Sequence, residues 1–383
     1  MARNEESLLR RHLPTWLPLL SPGGCVVGQV DDRSTDLSFA SFLDGEVLPW
    51  AAVPAERRHV YHYTFDGLGP ARSLLLAEAW ARYGPSATHY FLADPDWKFQ
   101  LAPQASARSV RGDLSRVMLH GSDERILAFQ IFDRNGASSR WLDWFMRSKE
   151  GLKFKYRWHE MLDLKPEEYT YQVMHGFTVT ETEGGSESYH TEESGGSGTV
   201  ARFQREIALL EKDFRDPGGS EDTRVLYYLG VDHASVLQLL RQDAIQQLSG
   251  QHGGAATEWR QRLASDKEQT YASHWNSGVG YLRTRVWELW GDAQGGHVEM
   301  AWAAALWLGR MLHELRPDRV SMAHDEEALR AYSKCIEVDT DRVECRLQKA
   351  RLLIRMAQTA DDDDDDDDAE KSGLLMSEAW AIA

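Results

Sequence analysis

The sequence predicts an α/β domain over residues 1–190 followed by an all-α domain over residues 191–383. Three observations support this. Two apolar runs in the first half stop abruptly in acids, Val26-Val27-Gly28-Gln29-Val30-Asp31-Asp32 and Tyr90-Phe91-Leu92-Ala93-Asp94-Pro95-Asp96, the pattern of buried strands that end at turns. Helical patterns alternate with these runs, as in open α/β sheets. The second half instead carries apolar residues at helical spacing, and a stretch at 181–199 rich in Gly, Ser and Glu separates the halves as a flexible linker or lid.

In order, residues 5–20 read as a helix with an apolar stripe at Leu8, Leu9, Leu13 and Trp16. Glu5 and Glu6 suit its positive N-terminal end, and Pro18 with Ser21-Pro22-Gly23-Gly24 stops it. A strand runs from Cys25 to Val30. A helix over 34–44 takes Ser34 or Thr35 as its cap, and a short strand falls at 59–63. A long helix follows Phe65-Asp66-Gly67-Leu68-Gly69-Pro70-Ala71 and reaches Arg82; a strand at 88–93 then carries the second acidic run. Loop and helix are expected at 109–119, a strand at 125–133, a turn at Asn135-Gly136, and one strand over 171–180.

In the second half helices are expected at 203–214, from Val225 onward, and at 256–270, 275–290, 297–315, 326–338, 342–356 and 377–383. Helix pairs at this spacing suggest a short solenoid. Trp287, Trp290, Trp302 and Trp307 fall at helical spacing, which points to core packing; a sugar-stacking platform is the alternative. The eight aspartates of 361–368 are expected to form a solvated, self-repelling loop.

A chain of 383 residues has the length for two or three domains. Its net charge is −17, of which the aspartate run supplies eight. An acidic balance argues against nucleic acid or an anionic membrane as the main partner. Cys25, Cys335 and Cys345 form neither a disulfide framework nor a zinc pattern, so a reducing, cytoplasmic location is expected. No run approaches the ~20 apolar residues of a membrane span.

Asp31, Asp32, Ser34, Thr35 and Asp36 stand just beyond the first strand, where open sheets hold ligands. Carboxylates are the hard oxygen ligands that Mg²⁺ and Mn²⁺ prefer. In an extended segment residues two apart share a side, so Asp94 and Asp96 can face one ion. Turn-forming aspartates are the plainer alternative.

These residues resemble a known family. Val30-Asp31-Asp32-Arg33-Ser34-Thr35-Asp36 is similar to the VDDGSTD signature of family-two glycosyltransferases, with Arg33 in place of Gly. Asp94-Pro95-Asp96 resembles their DxD metal motif, with Trp97 where Glu is frequent. Arg3-Asn4-Glu5-Glu6 resembles the KNEE stretch that follows their first strand, which is itself missing here. The segment ending in Ala71-Arg72-Ser73 resembles their FaaARN stretch, with Ser73 for Asn. Trp144-Phe145-Met146-Arg147, followed by Trp158-His159-Glu160-Met161-Leu162, resembles the RLFR…VHExL segment of a bacterial subgroup. The His often found after the strand at 171–180 is absent. In the second half, residues 328–339 and the pair Leu229-Gly230 resemble a tetratricopeptide repeat, with Thr340 where Pro is usual.

The resemblance implies a GT-A (Rossmann-like) nucleotide-sugar domain followed by a tetratricopeptide-like helical domain. It implies transfer of a sugar from a nucleotide-sugar donor, UDP-linked, to an acceptor hydroxyl on a carbohydrate or protein, with inversion. Asp31 and Asp32, with Ser34 and Asp36, would hold the nucleotide, and Arg72 would contact the diphosphate. Asp94 and Asp96 would hold Mn²⁺ or Mg²⁺. Glu160 would be the general base, supported by His159. The alternative is a catalytically inactive transferase-like protein whose repeats dock a protein partner. A metal-dependent phosphohydrolase carries less weight, since no further ligands at definable spacing accompany the aspartates.

Overall fold

The structure is a computed structural model and describes residues 6–20, 23–32, 53–84, 86–87, 89–119, 125–132, 139–164, 170–173, 176–182, 199–249, 265–290, 298–317, 321–339, 341–361 and 366–382. The chain divides into two compact units, Met1–Ser197 and Gly198–Ala383. No helix among the described residues is long and apolar enough to cross a membrane.

The first unit combines helices with small sheets. Helix α1 (Glu6–Trp16) buries Leu8, Leu9 and Leu13, as its stripe predicts. Each such side chain contributes about 1.5–3 kcal/mol as an upper estimate. It ends in a 3₁₀ turn, Leu17–Leu19, where Pro18 cannot continue the α-helical bonding. Strand β1 (Val26–Asp31) pairs in parallel with β2 (Arg58–Tyr63). Helix α2 (Leu68–Tyr83) then leads to β3 (His89–Phe91). The expected helix at 34–44, with Ser34 and Asp36, lies outside the described residues, as does the turn at Asn135-Gly136.

Strand β4 (Trp97–Leu101) follows the second acidic run, where no strand was expected. The reason lies in the core. Trp97 is 2% exposed and packs with Phe99, Leu92, Met146, Phe177 and Val179. The rings of Phe91 and Phe99 meet edge-on at 5.0 Å. Helix α3 (Ala107–Leu119) precedes β5 (Arg125–Phe132) and β6 (Ser139–Arg147). The expected single strand over 171–180 is instead two, β9 (Thr170–Val173) and β10 (Phe177–Glu181). They pair in parallel with successive halves of β5, β9 along Arg125–Ala128 and β10 at Ile131 and Phe132. The larger sheet has the order β3-β6-β5-β10-β4, with β9 joined to β5. A hairpin of β7 (Phe154–Lys155) and β8 (Met161–Leu162) completes the strands.

The second unit is helical throughout its described residues: α4 (Val200–Arg215), α5 (Thr223–Ser249), α6 (Ser265–Arg283), α7 (Val298–His313), α8 (Met322–Val338), α9 (Glu344–Asp361) and α10 (Asp366–Ile382). Thr199 caps α4, its hydroxyl accepting from Arg202 N–H. Where two helices were expected over 256–270 and 275–290, α6 runs unbroken and ends in a π turn, Thr284–Glu288. Neighbouring helices approach closely at glycine. A Cβ on Gly230 would stand 2.4 Å from Leu282, and one on Gly309 2.4 Å from the Tyr332 ring.

One carbonyl in the last turn of α7, which lacks an intrahelical partner, and one just beyond the helix are taken by side chains. Trp275 Nε1 donates to Met311 O at 2.9 Å, and Tyr271 Oη to Leu315 O at 2.7 Å. The buried Arg316 donates to Asp325 at 2.9 Å, and Arg355 reaches the same carboxylate.

Three expectations are corrected here. Cys335 and Cys345 form a disulfide between α8 and α9, with Cα atoms 6.2 Å apart, and Cys25 alone is free. Of the four tryptophans, only Trp302 is buried; Trp302 lies under Arg342, Trp307 under Arg310 and Trp290 under Lys334, and the 39%-exposed Trp287 donates to Glu327. Core packing holds for Trp302 alone; cation–π contact covers Trp307 and Trp290, and a hydrogen bond holds Trp287. The aspartate run is not all loop: α9 ends at Asp361 and α10 starts at Asp366, eleven residues ahead of the expected 377.

Candidate functional site

The first acids begin at the last residue of β1 and the second three residues beyond β3, and α2 packs against both strands. Gln29 Nε2 on β1 donates to Ala71 O on α2 at 2.9 Å. Asp31 closes β1 opposite Tyr63 and is 2% exposed. Asp32 continues the ladder, its N–H donating to Tyr63 O at 2.9 Å. Its carboxylate accepts from the Thr64 hydroxyl at 2.8 Å and lies 3.9 Å from His62 Nδ1. Asp32 is thus half-exposed and oriented at the tip of the parallel pair.

Asp94-Pro95-Asp96-Trp97 is a β-turn. Trp97 N–H donates to Asp94 O at 3.1 Å, and Pro95 holds the position its fixed φ favours. The segment is therefore not extended, and the strand-alternation argument for Asp94 and Asp96 does not apply to it. The Asp96 carbonyl accepts from Thr182 N–H and from the Thr182 hydroxyl, each at 2.9 Å, which ties the turn to the end of β10.

Arg72 joins the second run to Glu160. Its Nη1 and Nη2 each stand 3.3 Å from an oxygen of Asp94, and its Nε stands 2.7 Å from Glu160 Oε1. The Arg72 and Glu160 side chains are 6% and 7% exposed, and that of Asp94 25%. Burial alone would lower the guanidinium pKa. The charges of Asp94 and Glu160 and their hydrogen bonds outweigh it, so the pKa is raised.

His159 and Glu160 lie in the tip of the β7–β8 hairpin, where Tyr156 and His159 adopt left-handed backbone at φ 65° and 51°. Side-chain-bearing residues hold such conformations only where their surroundings impose them. Here the N-terminus of α2 does so. Leu68 N–H donates to Arg157 O at 2.7 Å, and Phe154 N–H to the Ser73 hydroxyl at 2.8 Å. A Cβ on Gly69 would lie 2.1 Å from Tyr156 O, and Gly67, at φ 117°, touches the Arg157 backbone. Only glycine permits this approach.

Ser73, Gly67, Gly69 and Thr64 thus shape the site, and sequence reading singled out none of them for a role. Ser73 stood only as a departure from a pattern. The Gly-x-Gly ahead of the helix was the one local signal. Ser34 and Asp36 lie outside the described residues. Among the described residues, no three His, Cys, Asp or Glu side chains converge as a metal cage would require. No protein-family model matches the chain, and no curated protein sequence matches it.

Proposed function

We propose that the first unit is a GT-A-type glycosyltransferase domain that moves a sugar from a UDP-sugar to an acceptor hydroxyl with inversion. One observation carries this reading: Arg72 gathers Asp94 of the second acidic run and Glu160 into one buried ion-paired group. Those residues lie far apart in sequence, and each was selected for a different part of this reaction.

In this reading Asp31 and Asp32 hold the nucleoside, and Asp32 is the more accessible of the two. Glu160 takes the proton of the acceptor hydroxyl as that oxygen attacks the anomeric carbon. The bond from the anomeric carbon to the diphosphate oxygen breaks, and UDP leaves. His159 and the strained hairpin tip set the direction of Glu160. Arg72, first assigned to the diphosphate, acts as a positioning residue that fixes Glu160 relative to Asp94.

Asp94 and Asp96 would be the carboxylates offered to Mn²⁺ or Mg²⁺, which take one or two protein carboxylates together with substrate phosphates, with Asp94 shared between the ion and Arg72. Such an ion would supply positive charge against the departing diphosphate. The helical unit is read as tetratricopeptide-like, with a protein partner as its ligand.

Calorimetry of UDP binding with and without Mn²⁺ tests the reading. Metal-dependent binding that is lost in Asp96→Ala is the expected result; binding unchanged in Asp96→Ala removes the metal assignment. The second reading, an inactive transferase-like scaffold, is favoured by the 7% exposure of the Glu160 side chain and its pairing with Arg72. A folded protein that binds no UDP, with or without metal, supports that alternative.

A further inference from the structure

Helix α10 packs with one face and exposes the opposite one. Its inner face, with Leu375, Ala379 and Ile382, lies against Ala350 and Leu353 of α9 and Leu329 of α8. Its outer face carries Gly373, Leu374, Ser377, Trp380 and Ala381, all of them exposed. These residues stand three or four positions from Ser377, so they share one side of the helix. None is charged, and Leu374 and Trp380 are 66% and 78% exposed. Leu347 and Ile354 on α9 are exposed as well. The outer face of the last helix pair in a stacked array is ordinarily polar. An apolar face in that place marks a contact surface.

We propose that this face binds the same face of a second copy of the chain, with the two α10 helices antiparallel and crossing at Ser377. Spacing selects the occupant. Leu374 and Trp380 stand three residues to either side of Ser377, and Gly373 and Ala381 four. An antiparallel crossing there sets Trp380 of each copy against Leu374 of the other, so the face complements itself, as a two-fold interface must. A Cβ on Gly373 would meet nothing within 4 Å, which leaves room for the incoming indole. Charge selects the direction. Helix α10 begins inside the aspartate run 361–368, whereas from Arg346 to Arg351 α9 carries three cations and no acid. Lys349 pairs with Glu378 at 2.9 Å, which puts that cationic stretch beside the C-terminal half of α10. Antiparallel helices carry each aspartate run towards the other copy's cations; parallel helices would set run against run. The chain's own stretches outside the described residues of this unit match the face less well. Residues 250–264 run from α5 to α6, and packing passes from these through α7 and α8 before it reaches α9 and α10; the other stretches are seven residues long at most.

Sedimentation equilibrium of the full chain tests this. A monomer–dimer equilibrium is expected below about 100 µM, with Trp380→Glu raising the dimer Kd at least about tenfold. Trp380 is too exposed for that change to disturb the fold. Raising NaCl from about 0.05 to 0.5 M should also raise the Kd, because salt screens the aspartates from the cations. In a Cys25→Ser background, Ser377→Cys is expected to form an inter-chain disulfide with its own copy, and Gly373→Cys to do so only when mixed with Ala381→Cys. A monomer at every concentration overturns the proposal, as does a dimer that Trp380→Glu leaves unchanged or that tightens with salt. Self-cross-linking of Gly373→Cys means parallel pairing and overturns it too. If the chain is monomeric, alkylation of Ser377→Cys tells what lies on the face: a slow reaction means that the chain's own segment covers it, and the rate of a free thiol means that nothing does.

Discussion

Arg72 Nε and Glu160 Oε1 stand 2.7 Å apart with both side chains less than a tenth exposed. The same guanidinium forks onto Asp94. A buried charge trio of this kind contributes little net stability when intact and costs much when one member is removed. Arg72→Met is therefore expected to destabilise the first unit by about 3–5 kcal/mol. Adding Glu160→Gln to Arg72→Met should recover part of that loss, because one uncompensated charge disappears. Urea unfolding of the two variants alongside the parent measures both; equal stability of Arg72→Met and the parent would show that the trio is not formed.

Gly309 and Gly280 make a matched pair. Both sit inside helices of the second unit, but a Cβ at Gly309 meets the Tyr332 ring at 2.4 Å, whereas one at Gly280 meets nothing within 4 Å. Gly309→Ala should cost about 1–3 kcal/mol through overpacking of α7 against α8. Gly280→Ala should add up to about 1 kcal/mol, because alanine is the better helix former. Thermal unfolding of the two variants reads opposite signs.

Two histidines make the second unit sensitive to acid. Burial, joined by Arg355, Arg316 and Arg351, lowers the His313 pKa to about 3, and burial with His274 lowers that of His233 to about 3. The unfolded chain takes up these protons near pH 6.5 and the folded chain does not. Stability from both groups is therefore complete above pH 6.5 and falls as the pH drops from 6.5 towards 3. The slope is about 1.4 kcal/mol per pH unit for each histidine. Denaturant midpoints measured across that range should show it, and His313→Gln should make the profile shallower by about one histidine's share.

The disulfide joins residues ten apart in sequence, from the last turns of α8 to the first turn of α9. Closing so short a loop is worth about 2–3 kcal/mol in the chain-entropy account. Reductant should lower the stability of the second unit by that amount and leave a Cys335→Ala/Cys345→Ala double variant unmoved. Alkylation followed by mass measurement should label Cys25 alone before reduction and all three cysteines after it.

The sequence by itself determined the features that depend on neighbours along the chain. The stripe of Leu8, Leu9 and Leu13 specified α1, the apolar run from Val26 specified β1, and apolar spacing specified α4, α7, α8 and α9 but neither the unbroken course of α6 nor the start of α10. Acids at the ends of β1 and β3 were equally plain, because a strand that stops in carboxylates is a local pattern. Only the tertiary structure decided what lies between distant segments. Trp97 begins a strand because a core assembled from α2, β6 and β10 receives its ring. Residues 170–181 split into two strands because each half finds a different stretch of β5. Cys335 meets Cys345 because α8 and α9 turn back on each other, and Trp307 and Trp290 are covered by cations from other turns rather than by core. Arg72 reaches both Asp94 and Glu160 because Gly67 and Gly69 let the start of α2 press against the β7–β8 hairpin. Periodicity in the sequence reports which face of an element is apolar; it carries no record of which distant face will cover it, and that pairing sets both the core and the site.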